Sequence, residues 1–270
     1  MLEVEREDER SGAMSASRIL FSLVLFAAAE AAVQQDQQDP REAELTTLTT
    51  EAANKQAGQF KLYLQEAREP AEIIKLLQEL ANEGRHQVIS QELMKFVRHR
   101  EPEVQLESLR LLGTQRDETA QKVLLSFCKR GARFDPLLAE EAARSLGYTG
   151  YGKRGYQQLE ELFYKEPHAK LRRAILKSFG QQEEKAAVPL LITLLDQPQP
   201  GSVDSASNPP AAYWQQQYQQ WRLLNPTAIR SLSEITGRRF VKSEDAEEWV
   251  RTEGKKIGLK FRRARSPWSS

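Results

Sequence analysis

One segment recurs along the chain, and a recurring helical unit leaves few folds open. Glu101–Gly113, Asp135–Gly147, His168–Gly180 and Asn225–Gly237 align without a gap. In each, the second residue (Pro102, Pro136, Ala169, Pro226) lies 11 positions before a glycine (Gly113, Gly147, Gly180, Gly237). The units are spaced 34, 33 and 57 residues apart, and a weaker copy, Glu69–Ala81, sits 32 before the first with Ala81 where the glycine should be. A polar residue followed by proline reads as a helix N-cap with proline at N1, where its missing N–H costs nothing. Val104, Ser108, Leu111 and Leu112 fall on one helical stripe. Glycine at the end reads as a left-handed helix stop. Small residues in the stripe (Ser108, Ala142, Ala143, Ser145) let a neighbouring helix come close.

Between these units lie further amphipathic stretches: Gln87–His99, Glu118–Lys129, Tyr156–Lys165 and Ala186–Leu195. Each is about three turns long. A helical hairpin of this size buries its apolar face only against the next hairpin. The expected fold is therefore all-α, an α-solenoid of stacked antiparallel helix pairs with about five repeats, spanning 42–250.

The segments resemble the HEAT-repeat signature Asp-Pro-x-Val-Arg-x-x-Ala-Ala-x-Ala-Leu-Gly, best in Asp135–Gly147. The resemblance runs over residues ~69–237. The arginine of that signature survives only as Arg172, with Gln105, Ala139 and Ile229 at the matching positions, so the polar ladder the resemblance implies is incomplete. The ending Ile235-Thr236-Gly237-Arg238-Arg239-Phe240, followed by Asp245 and Trp249, looks like the C-terminal cap of exported bacterial HEAT proteins.

The N-terminal region carries an address rather than a fold. Residues 1–13 are acidic and polar; from Met14 the pattern changes. Arg18 supplies positive charge, Ile19–Ala29 is an apolar run of 11 residues, and Ala29-Glu30-Ala31 has the small-x-small form a signal peptidase reads. That is the layout of a secretory signal peptide, too short to persist as a spanning helix. The expectation is a signal region over 1–31 with Met14 as the start and cleavage after Ala31. A polar linker over 32–41 would follow, leaving no integral membrane segment after processing. The expected location is exported, in the periplasm or cell envelope.

The 57-residue interval holds an insertion. Residues 196–212 contain four of the twelve prolines and read as a loop. In the segment that follows, Trp214, Tyr218 and Trp221 stand on one helical face, either as an aromatic platform for a peptide or sugar or as a stripe packed onto Ile229, Leu232 and Trp249. Residues 251–270 form a basic tail, with seven basic side chains and one acidic between Arg251 and Arg265. It reads either as a contact for an anionic surface or as a solvated tail.

Little chemistry is legible. Cys128 is the only cysteine and there are three histidines, so no disulfide framework, Cys-rich metal site or cofactor is expected. Gly147–Lys153 has phosphate-loop spacing, but Arg154 replaces the hydroxyl residue and a helix precedes it, so helix-ending glycines explain it better. No catalytic residue and no metal ligand is assigned. Lys plus Arg is 39 against Asp plus Glu 38, a balance that makes nucleic acid an unpromising partner.

The resulting expectation is a non-catalytic scaffold for a protein or peptide. By analogy with HEAT repeats its concave side would carry Gln105, Arg110, Glu141, Arg144, Arg173 and Lys177. Trp214, Tyr218, Trp221, Arg110, Arg144 and Arg173 are the candidate binding residues. The alternative is a HEAT-like enzyme resembling bilin lyases or DNA glycosylases, or a nucleic-acid-binding module, acting in the cytoplasm.

Overall fold

A computed structural model describes residues 44–199, 209–259 and 264–268, with the side chains of 131–134 excepted. The signal region, its Ala31 site and the 32–41 linker lie outside the described residues. Everything described belongs to one unit, Glu44–Ser270.

Eleven α-helices are described: α1 Thr50–Leu64, α2 Pro70–Asn82, α3 Gln87–Met94, α4 Pro102–Gln115, α5 Glu118–Phe134, α6 Pro136–Thr149, α7 Gly152–Lys165, α8 Ala169–Gln181, α9 Val188–Thr193, α10 Ala211–Thr236 and α11 Ser243–Thr252. Among the described residues the only β-pairing is an isolated bridge, Thr47 with Arg85. The helices pair as five antiparallel hairpins, with α11 covering the end. α2, α4, α6, α8 and α10 pack side by side as one layer, while α1, α3, α5 and α7 form the other. This is the α-solenoid that the repeat implies.

The starts of the repeat helices follow the expected chemistry in part. Asp135 caps α6, its carboxylate accepting from Leu137 N at 3.0 Å and Leu138 N at 3.2 Å. Glu101 holds the same place before Pro102 without a side-chain capping bond.

The glycines are a correction. Gly113, Gly147 and Gly180 do not stop their helices; all three are buried inside them. They are small because the next repeat helix lies on top of them. A Cβ at position 180 would stand 2.8 Å from Ser231 Cα, and one at position 147 would stand 3.1 Å from Ser178 Cα. Only Gly237 acts as a left-handed stop, with φ 69° at the C-cap of α10.

A second correction concerns Asn225-Pro226. α10 runs unbroken for 26 residues through Pro226, where a new helix start was expected. The Asn225 amide is taken elsewhere: Nδ2 donates to Leu194 O at 3.0 Å and Leu195 O at 3.3 Å, satisfying carbonyls just beyond α9. Pro226 and Arg222 are both exposed, so the carbonyl left without a helical partner by proline faces water. α10 also begins at Ala211, inside the expected 196–212 loop.

Neighbouring repeats are joined by apolar burial and by bonds one repeat apart. Ser231 Oγ donates to Leu176 O at 2.9 Å, Gln182 Nε2 to Gly147 O at 2.6 Å and Arg85 Nε to Thr114 O at 2.9 Å. Ser90 Oγ hydrogen-bonds Asp117. Phe163, Phe179, Leu109 and Leu146 are among the side chains wholly removed from water, each contributing about 1.5–3 kcal/mol by that transfer. At the C-terminal end, Phe240, Ala246, Val250 and Leu259 join the same core, with Phe240 and Trp249 ring centroids 5.5 Å apart.

Candidate functional site

The exposed face of the repeat-helix layer is largely neutralised within itself. Arg144 Nη2 meets Glu140 Oε1 at 2.6 Å on its own helix, and Arg110 Nη1 meets Glu107 Oε2 at 3.7 Å. Glu107 also accepts from Gln78 of the preceding repeat at 2.8 Å. Arg173 is exposed. The three arginines therefore stand on three successive repeat helices, and two of them are occupied by internal ion pairs.

The aromatic stripe divides. Trp221 is held to the stack, its Nε1 donating to Leu194 O at 3.0 Å. Tyr218 stacks on Trp221 with centroids 5.5 Å apart and is 40% exposed. Trp214 is half-buried, edge-on to Tyr213 at 5.2 Å, and its buried Nε1 finds no partner. The stripe is thus part brace and part surface.

What the sequence did not mark is where the C-terminal segment goes. Trp268 is 6% exposed, and its ring lies 5.5 Å from the Arg172 guanidinium carbon. On its other side that guanidinium lies 4.4 Å from the Phe163 ring centroid. Arg172 is thereby sandwiched between two aromatic faces, a favourable place for a desolvated cation. Two hydroxyls fix the segment's backbone: Tyr164 donates to Arg265 O at 3.0 Å and Tyr213 to Trp268 O at 2.9 Å. The described part of the basic stretch is therefore a packed segment and not a solvated tail; Lys260, Arg262 and Arg263 lie outside the described residues.

The walls of this cradle come from three helices. Phe163 and Tyr164 end α7, Arg172 opens α8, and Tyr213 and Gln220 belong to the first half of α10. The insertion thus has a structural result: it starts α10 well before the usual repeat position, and the added turns make one wall. Arg172 Nη1 donates to Gln220 Oε1 at 2.6 Å, while its buried Nε has no partner. No carboxylate lies within ion-pairing distance of it among the described residues. Burial pulls the Arg172 guanidinium down to about 10, against the opposing fields of Glu166 and Tyr164. The Tyr164 hydroxyl is pushed up to about 12, by burial first and by Glu160 second.

Sequence signals for the cradle existed but were not assembled. Arg172 was visible as the lone survivor of the ladder arginine. Tyr213 falls outside the i, i+4, i+7 stripe, and nothing local ties Trp268 to residues about a hundred positions earlier.

Other chemistry is scattered. The histidines occupy separate turns: His86 Nδ1 accepts from Val88 N at 3.2 Å, His99 Nδ1 from Glu101 N at 3.2 Å, and His168 is exposed before α8. Among the described residues no three His, Cys, Asp or Glu side chains converge as a metal site. Cys128 is wholly buried, its thiol pushed far up by desolvation. Gly147 belongs to α6 and Gly152 opens α7, so the glycine-rich stretch links two helices. A separate open groove of ≈ 300 Å³ lies where α3, α4, α5 and α6 meet, with Val97, Phe127 and Leu138 as its floor and Arg98 and Arg130 at its edge. No helix among the described residues is long and apolar enough to cross a membrane.

Residues 171–197, which cover α8, the following turn and α9, match the family described as PBS lyase HEAT-like repeat. The chain is a HEAT-repeat protein. The matched stretch begins one residue before Arg172, so the HEAT-like unit itself supplies one wall of the cradle. No curated protein matches the chain.

Proposed function

We propose that this HEAT-repeat protein is a non-catalytic scaffold that binds a protein or peptide outside the cytoplasm. The observation that carries the reading is the seated C-terminal segment. A stretch of chain with extended contacts, an aromatic anchor and two backbone hydrogen bonds already lies across three helices of the stack. A surface that holds one peptide in this way has the features needed to hold another: an apolar slot for one ring and donors for main-chain carbonyls. Stacked helical repeats supply such surfaces generally.

The location rests on the sequence from Arg18 to Ala31, and the absence of chemistry on the scatter of titratable groups. The lyase named in the family description belongs to other proteins that share the repeat; the repeat is a packing unit, and fold alone assigns no reaction.

The test is direct. Cells expressing the full chain are fractionated and the N-terminus of the accumulated protein is read; the expected product begins near Ala32 outside the cytoplasm. Purified protein is then photo-crosslinked from position 213 in the compartment where it accumulates. The expected result is a defined adduct that can be rebuilt from two purified components. An intact N-terminus in the cytosol removes the location, and failure of every rebuilt pair removes the scaffold reading.

A further inference from the structure

We infer that the Arg172 cradle is a recognition site for an acidic peptide bearing an exposed aromatic residue, and that residues 264–268 occupy it as a built-in competitor. This rests on the scaffold reading and names the chemistry of its partner.

The seated segment shows the shape the cradle accepts. One indole ring fills the slot over Arg172, and two carbonyls of the same strand of chain receive the Tyr164 and Tyr213 hydroxyls. Its charge is wrong for the site, however. The segment comes from a basic stretch holding Arg262, Arg263 and Arg265, and it lies against a guanidinium that is 5% exposed. Arg172 Nε is buried without a partner, and Nη1 is answered only by the neutral oxygen of Gln220. The nearest opposing charge, Glu166, is itself buried and accepts from His168 N at 2.8 Å. A buried cation without a carboxylate is a costly arrangement, and an unpaired donor aimed into a ligand slot marks what the ligand should bring. A peptide carrying a carboxylate beside its aromatic residue keeps the ring stacking and both carbonyl contacts, and adds the charge-assisted bond that Arg172 lacks. It also removes like-charge crowding from the basic segment.

The competitor sets the affinity. While residues 264–268 are seated the site is closed, so the apparent dissociation constant exceeds the intrinsic one by the reciprocal of the open fraction. Trp268→Ala takes away the ring that anchors the segment and leaves every wall of the cradle in place.

The experiment uses the full chain and a short fluorescein-labelled peptide with one tryptophan flanked by glutamates, read by fluorescence anisotropy. The expected result is binding to the Trp268→Ala chain about tenfold or more tighter than to the unaltered chain. Adding Arg172→Gln to Trp268→Ala should weaken binding about tenfold or more, the loss expected for one charge-assisted bond. Should that double variant fold poorly, Tyr213→Phe in the Trp268→Ala chain removes one carbonyl donor and should weaken binding severalfold with the helical spectrum unchanged. A control peptide with lysines in place of the glutamates should bind no better than background. The inference is overturned if the acidic peptide binds both chains equally or neither. It is also overturned if a labelled peptide of residues 264–270 binds the Trp268→Ala chain more tightly than the acidic one, which would make the cradle a site for another copy's tail. In that last case the scaffold reading stands; if no peptide binds, both fall.

Discussion

A methyl group at position 180 has nowhere to go, because Ser231 Cα would be 2.8 Å away and that atom belongs to the backbone of the next helix. Helix propensity alone favours alanine over glycine by about 1 kcal/mol. The packing clash outweighs it, and Gly180→Ala should destabilise by about 1–3 kcal/mol, seen as a lower melting temperature. Gly147→Ala should cost less, since its closest neighbour is the far end of the Gln181 side chain and the nearest backbone atom is at 3.1 Å. Equal melting temperatures for both variants and the parent would refute close helix approach as the reason for glycine. A titration checks the same level of detail. Tyr164 has a folded pKa raised to about 12 against roughly 10 in an unfolded chain. The unfolded state ionises first, so this stabilising contribution is complete below pH ~10 and is lost as pH rises toward 12. Its phenolate cannot donate to Arg265 O, so the C-terminal segment should loosen across the same window. Tyrosine absorbance in Tyr164→Phe should lack the component that titrates near 12.

At the scale of the helix, α10 shows what a local pattern can and cannot reveal. Asn-Pro is a strong start signal, and it was read as one; the long helix ignores it because Asn225 has a better use at the Leu194 and Leu195 carbonyls. Proline inside a helix is costly, about 3 kcal/mol in an unconstrained interior, although its rigidity also limits the unfolded chain. Pro226→Ala should therefore raise the melting temperature, and a fall would mean that the proline positions the first half of α10. Trp221→Ala should do the opposite, through loss of its bond to Leu194 O and of a large packed ring, at about 3–5 kcal/mol. The glycine signal was misread for a similar reason. Sequence spacing locates a small residue without saying whether backbone angle or neighbour distance demands it. Gly237 is the first case and Gly180 the second.

For the whole molecule, the stack and its five-fold repetition were legible because each hairpin repeats one stripe at nearly constant spacing. The cradle was not, because its parts come from α7, α8, α10 and the C-terminal segment, and no periodicity relates them. The stack is also uneven. α2 lies against α4 less closely than α4 against α6, and Ala81 stands where three later repeats carry glycine. In a repeat protein each interface contributes separately to stability. Hydrogen exchange should thus be fastest in α1 and α2 and slowest in α4, α6 and α8; uniform protection would show that the array unfolds as one unit.

The bond from Tyr164 to Arg265 closes a span of 101 residues, whereas the bonds between repeats bridge about a third of that. A chain made from its N-terminus can stack each hairpin on the last as it appears. The Arg172 cradle has all its walls once Gln220 has been added, yet Trp268 comes 48 residues after that (268 − 220). At ~5–20 residues per second, a newborn molecule spends seconds with the slot complete and its own plug still unmade. A partner already present during synthesis meets no competition at all.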